Sequence, residues 1–301
     1  MKNLLLLHLV VLIFGFTGVL GKLITIPSEA LVWYRMFFAT ISVGIYMLLR
    51  KKSFKMVKKG VLQTISVGFI IAAHWIFFFE AIKQSNVSIT LAALSAGSLF
   101  TAILEPVFFK RKVQFYELFL GILVIAGLYF IFHFETENSL GIWLAIISAF
   151  LASLFTVING KLIKQYDSSR ISLYELFGGV LAISIYFLAF KPSSFPDFSI
   201  NPSDWVYLLI LAIICTAFAF VASVKVMEEL TPFTVSLSIN LEPVYGIILA
   251  FLIFGEEEEM SLGFYVGTLI ILSSLFLNVW FKKRNKKKEK TTINSTLKLE
   301  S

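Results

Sequence analysis

The stretch "PVYGIILAFLIFGEE" at residues 243–257 resembles "SLFTAILEPVFFKRK" at residues 98–112, and the comparison of the two indicates how the chain is organised. At an offset of 145 residues the two apolar runs align, and Arg111 is then paired with Glu256. Opposite charge at the same place is what an inverted duplication predicts, because equivalent helix ends would lie on opposite sides of a membrane. The two stretches therefore indicate two copies of one fold, the second turned upside down relative to the first.

Composition predicts a membrane protein. Of the 301 residues, 58% are hydrophobic and only 15% are charged, whereas soluble domains average roughly 25% charged residues. Apolar runs of about 20 residues, long enough to cross the ~30 Å hydrocarbon layer as a helix, recur along the chain. They predict an all-α polytopic membrane protein with ten transmembrane helices, at 3–21, 31–49, 61–82, 87–109, 114–133, 140–159, 171–190, 204–224, 233–254 and 262–280.

The distribution of basic residues predicts the orientation in the membrane. The net charge of +7 comes from alternate connections and the C-terminal tail rather than from one nucleic-acid-binding patch. With the N-terminus in the cytoplasm, all but four of the 26 basic residues lie in cytoplasmic segments, which is the positive-inside pattern. We therefore expect a multi-pass protein of the cytoplasmic membrane, with both termini cytoplasmic and no nucleic-acid partner. The four exceptions are Lys22, Arg35, Lys83 and Lys191.

A competing register of the repeat pairs the two "LEPV" strings, 104–107 with 241–244. It sets the cations of residues 110–112 against an apolar run, and the offset of 145 is preferred because it avoids this conflict. The string "GKLI" also recurs, at an offset of 139. The sequence thus divides into a first five-helix repeat at 1–135, a second five-helix repeat at 138–281 and a basic cytoplasmic tail at 282–301 that is expected to be disordered.

Motifs spread over residues 4–280 resemble the drug/metabolite transporter superfamily, EamA branch. They are "FGFTGVLGKLI", "LVWYRMFFA", "WIFFFEAIKQSNVS", "SLFTAILEPVFF" followed by "GILVIAG", and "NLEPVYGIILAFLIFGEEEE". The resemblance implies a ten-helix carrier of small metabolites, often an exporter of amino acids or related compounds. One departure is that the Gly-Glu pair usual in this family after the fourth helix is Lys110-Arg111 here.

Nothing in the residue pattern predicts an enzyme. The histidines His8, His74 and His133 lie at different predicted depths, which argues against a shared metal ion. The three aspartates all fall in predicted loops, and no phosphate-binding glycine loop is present. We therefore expect no catalytic residue, no metal site and no cofactor.

Polar groups at bilayer depth are the candidate substrate-binding or coupling residues, because an ionised side chain there costs roughly 2.5–3.5 kcal/mol. Glu242 lies ~13 Å into the ninth helix at 1.5 Å per residue, next to Asn240 and before Pro243. The proline would free a backbone carbonyl toward a cavity. Glu242 is either a substrate- or proton-coupling carboxylate or an acid that only holds helices together. Tyr245, one turn further on, completes this group.

His74 and Trp75 lie in the middle of the third helix and would suit a partly apolar organic substrate. The alternative is that His74 hydrogen-bonds a neighbouring carbonyl and has a structural role. Ser95 on the fourth helix is likewise either a substrate-binding residue or a small residue that permits close helix packing.

Four further charges suggest two gates. Arg35 and Glu80 share a depth near the outer face. The offset of 139 carries Arg35 and Met36 onto Tyr174 and Glu175, and the offset of 145 carries Glu80 onto Lys225, both near the inner face. We predict that Arg35–Glu80 helps to close the outer side and Glu175–Lys225 the inner side. The alternative is that all four side chains extend to nearby water or lipid headgroups.

The preferred hypothesis is a secondary transporter that moves small metabolites across the cytoplasmic membrane by alternating access, with export as the expected direction. Its partners would be a small-molecule substrate and the lipid bilayer, and a homodimer remains open. A non-transporting membrane receptor or scaffold with a sealed interior is the alternative. A channel is less favoured, because no ring of like charges is visible.

Overall fold

The computed structural model describes residues 2–194, 199–274, 276–277 and 280–281, and these residues are helical with no β-strand. The tail at 282–301, for which disorder was expected, lies outside the described residues. The helices are α1 (Lys2–Leu23), α2 (Ser28–Leu49), α3 (Lys58–Gln84), α4 (Val87–Leu94), α5 (Gly97–Phe109), α6 (Phe115–Phe134), α7 (Ser139–Leu162), α8 (Ser168–Phe190), α9 (Pro202–Ala212), α10 (Ala219–Val226), α11 (Pro232–Ile239), α12 (Glu242–Phe254) and α13 (Leu262–Ser274).

Nine apolar spans in the described part of the chain are long enough to cross a membrane. Three of them consist of two consecutive helices: α4 with α5, α9 with α10, and α11 with α12. A π-helical segment, Ile213–Phe218, joins α9 to α10. The tenth predicted span, 262–280, corresponds to α13 and to the helical residues 276–277 and 280.

The two spans that are broken near their middle match one another. The bounds of α4 and α5 coincide with those of α11 and α12 at the offset of 145 residues. Asn86 and Thr231 cap α4 and α11 by accepting the backbone N–H three residues further on. Both spans end at a residue with positive φ, 52° at Lys110 and 60° at Gly255. The two halves of the chain therefore build the same broken helix from largely different residues.

The break between α11 and α12 follows from Pro243, which has no N–H to donate to the carbonyl of Ile239. The backbone tightens there, and Leu241 N donates to Ser238 O instead. In the first half the equivalent position is Ser98, which is not a proline. Its hydroxyl donates back to the Ser95 carbonyl at 3.1 Å, and the backbone makes the same tightened turn.

The connections between spans gather at two opposite ends of the bundle. At one end Lys52 pairs with Asp167 at 3.1 Å and the Tyr174 hydroxyl donates to the Phe54 carbonyl. At the other end Thr25 donates to Asp204 at 2.7 Å. We call the first end the basic face, formed by residues 50–57, 110–114, 163–167 and 227–231, and the second the acidic face, formed by residues 24–27, 85–86, 135–138, 191–194, 199–201 and 255–261.

Close helix packing surrounds the centre of the bundle. A Cβ added to Gly15 of α1 would lie 3.0 Å from the backbone nitrogen of Gly246 in α12. A Cβ on Gly68 of α3 would lie only 2.1 Å from the carbonyl oxygen of Glu175 in α8. Glycine at these positions lets the helix backbones approach one another directly. The broken spans pack against α1, α3 and α7, and the candidate site lies among these helices.

Candidate functional site

A cavity of about 100 Å³ lies in the middle of the bundle, between the two broken spans. This volume is well above the ~15 Å³ that one water molecule needs. Arg35, His74 and Glu242 supply the titratable groups of its wall. Most of the rest of the surface is apolar, and the aromatic part comes from Phe14, Trp75, Phe78, Phe155 and Phe220.

Glu242 is the first residue of α12 and lines the cavity directly after the break. It is 5% exposed, and among the described residues no group donates a hydrogen bond to its carboxylate or forms an ion pair with it. An acid that only held helices together would have such a partner. The structure therefore shows no partner through which the Glu242 carboxylate would hold two helices together.

Asn240 joins the two breaks to one another. Its Nδ2 donates to the Ser98 hydroxyl at 3.0 Å, across the centre of the molecule. Ser95, at the other break, is buried, and its hydroxyl lies 3.5 Å from the Leu91 carbonyl. Asn240 lines the cavity, whereas Ser95 lies behind its wall. Tyr245 also lies outside the wall and packs beside Gly15 of α1.

His74 lines the cavity and is at the same time fixed to α7. Its Nδ1 lies 2.7 Å from the Ser148 hydroxyl and 2.9 Å from the Ser148 carbonyl oxygen. The Ser148 hydroxyl in turn donates to the His74 carbonyl at 2.9 Å. These contacts correspond to the alternative in which His74 hydrogen-bonds a neighbouring carbonyl and has a structural role. Trp75 presents its ring to Arg35.

Arg35 belongs to the cavity in this structure. Its Nε donates to the Thr216 hydroxyl at 2.5 Å, and the centre of its guanidinium lies 3.9 Å above the Trp75 ring. Thr216 occupies the π-helical segment, where its hydroxyl also donates to Leu211 O at 2.7 Å. Single π turns inside α-helices occur often at functional sites, since the extra residue re-aims side chains.

Neither predicted gating pair is formed in this conformation, within the residues that the structure describes. Glu80 accepts hydrogen bonds from Ser28 and Gln84 at 2.8 Å each. Glu175 is fully buried and accepts from Asn159 at 3.3 Å, while Lys225 is exposed at the end of α10. Arg35 and Glu175 thus both turn toward the interior of the bundle.

At the acidic face, a buried carboxylate of the second half holds the first. Glu258 accepts from the backbone nitrogens of Val87 and Ser88, at 3.1 and 2.9 Å, and so caps α4. Lys22 of α1 pairs with both Glu257 and Glu258 at 3.0 Å. The glutamate run that contrasts with the cations at 110–112 thus fastens the two halves together on this side. We call the contact of Glu258 with Lys22 and the start of α4 the acidic-face lock.

At the basic face, the roles of the two halves are exchanged. Glu105 of α5 accepts from the backbone nitrogen of Phe233 at 2.6 Å, at the start of α11. Arg111 pairs with Glu105 at 3.0 Å and with Glu117 at 2.9 Å. Burial would lower the pKa of Arg111, but Glu117 and Glu105 outweigh it and raise that pKa above its usual value. We call this contact the basic-face lock, and Phe233 is equivalent to Ser88 at the offset of 145.

Several polar residues of the wall were not singled out from the sequence. Asn159 lines the cavity and donates to Glu175, and its Oδ1 has no partner among the described residues. Thr17, Thr156 and Ser223 line it as well. Their positions inside apolar runs were the available signal, but an uncharged polar residue in such a run is common enough to be overlooked.

The comparison with known families agrees with this architecture. The profile of the EamA-like transporter family matches residues 1–133 and 139–280. Broken helices around a central cavity and this match together define a multi-pass membrane transporter. The chain belongs to the EamA-like transporter family, within the drug/metabolite transporter superfamily.

Curated relatives carry only general names. The uncharacterized transporter YxxF of Bacillus subtilis (strain 168) is 26% identical over 259 residues, which cover 82% of this chain and 80% of that protein. An uncharacterized transporter of Archaeoglobus fulgidus is 23% identical over 209 residues, 67% of this chain and 70% of that protein. One crystal structure superposes with a TM-score of 0.69 at 15% identity and covers 91% of this chain and 95% of its own. At that identity the likeness shows the fold alone.

Proposed function

We propose that this protein is a secondary transporter that moves small organic metabolites across the cytoplasmic membrane by alternating access. The observation that carries the proposal is the central cavity, which lies between two matched broken spans and holds Arg35 and Glu242. Discontinuous helices at mid-membrane are the usual place where carriers bind substrate, because their free backbone ends and polar side chains meet there. The resemblance favours amino acids or related compounds as cargo and export as the direction.

The topology that goes with this proposal has ten transmembrane helices in two inverted repeats, with both termini in the cytoplasm. The equal bounds of α4–α5 and α11–α12 support the repeat. The cations at 110–112 and the glutamates at 256–259 lie on opposite faces, which supports the inversion and a cytoplasmic orientation of the basic face.

The two locks supply the parts that alternating access requires. Each lock joins one half to the start of the other half's broken span, and one lies at each face. Opening the basic face would separate Glu105 from α11, and opening the acidic face would separate Glu258 from α4. Both locks are formed in this structure. We therefore assign it to a state of the proposed cycle in which the central cavity is closed on both sides.

The alternative of a non-transporting receptor or scaffold requires a sealed interior in which Glu242 and His74 pack against side chains. A cavity lined by both residues supports transport instead. The decisive experiment reconstitutes the purified full chain in liposomes and measures uptake of a broad panel of amino acids and other metabolites, with and without a pH gradient. Metabolite profiles of cells with and without the protein would select the panel.

We expect saturable uptake of at least one class of compound that an excess of the unlabelled compound inhibits. Protein-free liposomes of the same lipid composition are the control. Vesicles that take up no member of the panel under either condition would overturn the proposal.

A further inference from the structure

The Arg35 guanidinium is a buried cation without a counter-ion at contact distance. Arg35 is 2% exposed, and among the described residues no carboxylate lies within 4.0 Å of it. Its Nη1 has no hydrogen-bond acceptor there either. Buried guanidinium groups are ordinarily paired, because the desolvation of the charge is otherwise uncompensated. An acceptor for this group is therefore missing from the wall itself.

The surroundings hold the guanidinium in one orientation. Thr216 accepts from Nε on one side, and the Trp75 ring lies 3.9 Å from the centre of the group on its face. Phe79 lies further out, with its ring centre 5.5 Å away. Because Nε and one face of the planar guanidinium are occupied, its two outer nitrogens, Nη1 and Nη2, remain available to a ligand. This is the arrangement that binds a carboxylate through two parallel hydrogen bonds.

The rest of the cavity wall indicates which kind of group could accompany the carboxylate in a ligand. Phe78, Phe155 and Phe220 line it, and Trp75 meets Phe220 edge to face with ring centres 5.9 Å apart. Such a wall suits a compact apolar or aromatic group. Glu242 lines the same cavity and could accept an ammonium group of the ligand.

We propose that Arg35, stacked on Trp75 and held by Thr216, binds the carboxylate of the transported molecule, and that substrates are small carboxylates with an apolar body. This inference rests on the proposed transport function. It assigns Arg35 to substrate binding rather than to a gate with Glu80. Free carboxylic acids and amino acids share the recognised group, and they differ in whether they need Glu242.

The test compares matched carboxylates and carboxamides on the purified full chain in nanodiscs. The probes are 3-methylbutanoate against 3-methylbutanamide and phenylacetate against phenylacetamide, with leucine as the amino acid. Binding is measured by quenching of tryptophan fluorescence and by calorimetry. We expect at least one carboxylate to bind at least tenfold more tightly than its amide. Equal affinity within both pairs, or no carboxylate binding above the buffer baseline, overturns the inference.

Variants separate this result from a general loss of folding. Arg35→Gln should abolish the preference for carboxylates, and Arg35→Lys should keep a weakened preference because the charge remains but the planar guanidinium does not. Lys191→Gln, which removes a cation paired with Glu29 at the surface, should change nothing. Gel filtration of each variant reports folding, and the preference of the unsubstituted chain needs no variant at all. A preference that survives Arg35→Gln overturns the inference.

The remaining outcomes distinguish this inference from the transport proposal. Leucine binding that is lost in Glu242→Gln while 3-methylbutanoate binding persists would identify amino acids as the preferred carboxylates. Liposomes that transport only neutral or cationic compounds would leave the transport function standing and refute the role of Arg35. Carboxylate binding without transport of any compound would refute the transport function instead.

Discussion

At the scale of single residues, Glu242 and Arg35 are two ionisable groups of the cavity wall that form no ion pair with any of the described residues. The Glu242 carboxylate receives no hydrogen bond from the described residues, and Nη1 of Arg35 has no acceptor among them. Charges of opposite sign in one cavity stabilise each other over some distance, even without contact, when little water separates them. Protonation of Glu242 or binding of a charged ligand would change the electrostatic energy between the two groups. Such a pair can therefore respond to either event.

Glu242→Gln tests whether this carboxylate couples transport to protons. Glutamine keeps the shape of the protonated acid but cannot exchange a proton. We therefore expect binding of a carboxylate without an ammonium group, such as 3-methylbutanoate, to persist and uptake driven by a pH gradient to fall at least tenfold. The measurement is uptake in liposomes with the interior pH varied, together with exchange of labelled substrate at equal pH. An unchanged response to the gradient in Glu242→Gln would remove this residue from coupling.

Charge reversal decides between the two roles of Arg35. Arg35→Glu should abolish transport, because it replaces the binding cation with an anion. Adding Glu80→Arg should not restore it, since Glu80 bonds Ser28 and Gln84 rather than Arg35 in this structure. Uptake rates of the two single variants and of the double variant give the answer. Partial recovery in the double variant would instead support the gate formed by Arg35 and Glu80.

At the scale of the helices, the N-termini of α4 and α11 depend on carboxylates that come from the other half. An uncapped helix start leaves backbone N–H groups without partners, which is costly where water is scarce. Glu258 and Glu105 satisfy these groups at the two faces. Each broken span is therefore stabilised by a carboxylate of the opposite half, and in the proposed transport cycle this contact would couple the two halves.

Glu258→Ala should destabilise the protein by ~1–2 kcal/mol through loss of the α4 cap. Glu257→Ala is the matched control, because Glu257 pairs with the same Lys22 but its side chain is 72% exposed. That control should cost ~0.5 kcal/mol or less, as surface pairs generally do. Unfolding in detergent, followed by heating or by denaturant, measures both. Equal losses in the two variants would show that the cap contributes nothing beyond a surface ion pair.

At the scale of the whole molecule, the two locks lie at opposite faces and would each stabilise the closed form of their own face. Both are closed here, and the cavity between them extends toward the basic face, where it is lined by Asn159 and Met227. Release of either lock should shift the population toward the state that is open on that side. A change of ~1 kcal/mol alters such an equilibrium about fivefold.

Labelling of a single cysteine tests this balance. In a Cys215→Ala background, Met227→Cys places a thiol in the cavity wall near the basic face. Glu105→Ala should speed its reaction with a membrane-impermeant reagent added to the basic face, and Glu258→Ala should slow it, each several-fold. Glu257→Ala should leave the rate unchanged. Faster labelling in both lock variants would indicate general loosening rather than opposed gates.

The local features of the broken spans were within reach of the sequence. Runs of apolar residues determine which segments cross a membrane, and Asn86 and Thr231 mark where α4 and α11 begin, because helix capping depends only on residues a few positions apart. Pro243 predicts the second break for the same reason. The equivalent break before Ser98 has no proline and was not predicted, since the sequence indicated one continuous helix at 87–109; the structure shows it.

The roles of the charged side chains were decided by tertiary structure alone. Counting residues along a helix gives the depth of Arg35, but not the direction in which it points, because that depends on how the neighbouring helices are rotated and packed. Equal depth suggested Glu80 as its partner, and the π-helical turn at Thr216 and the ring of Trp75 hold it in the cavity instead. Glu258 likewise stood out in the sequence as part of a charged run. Its function as the cap of α4 exists only because residues 170 positions apart meet at one face of the folded bundle.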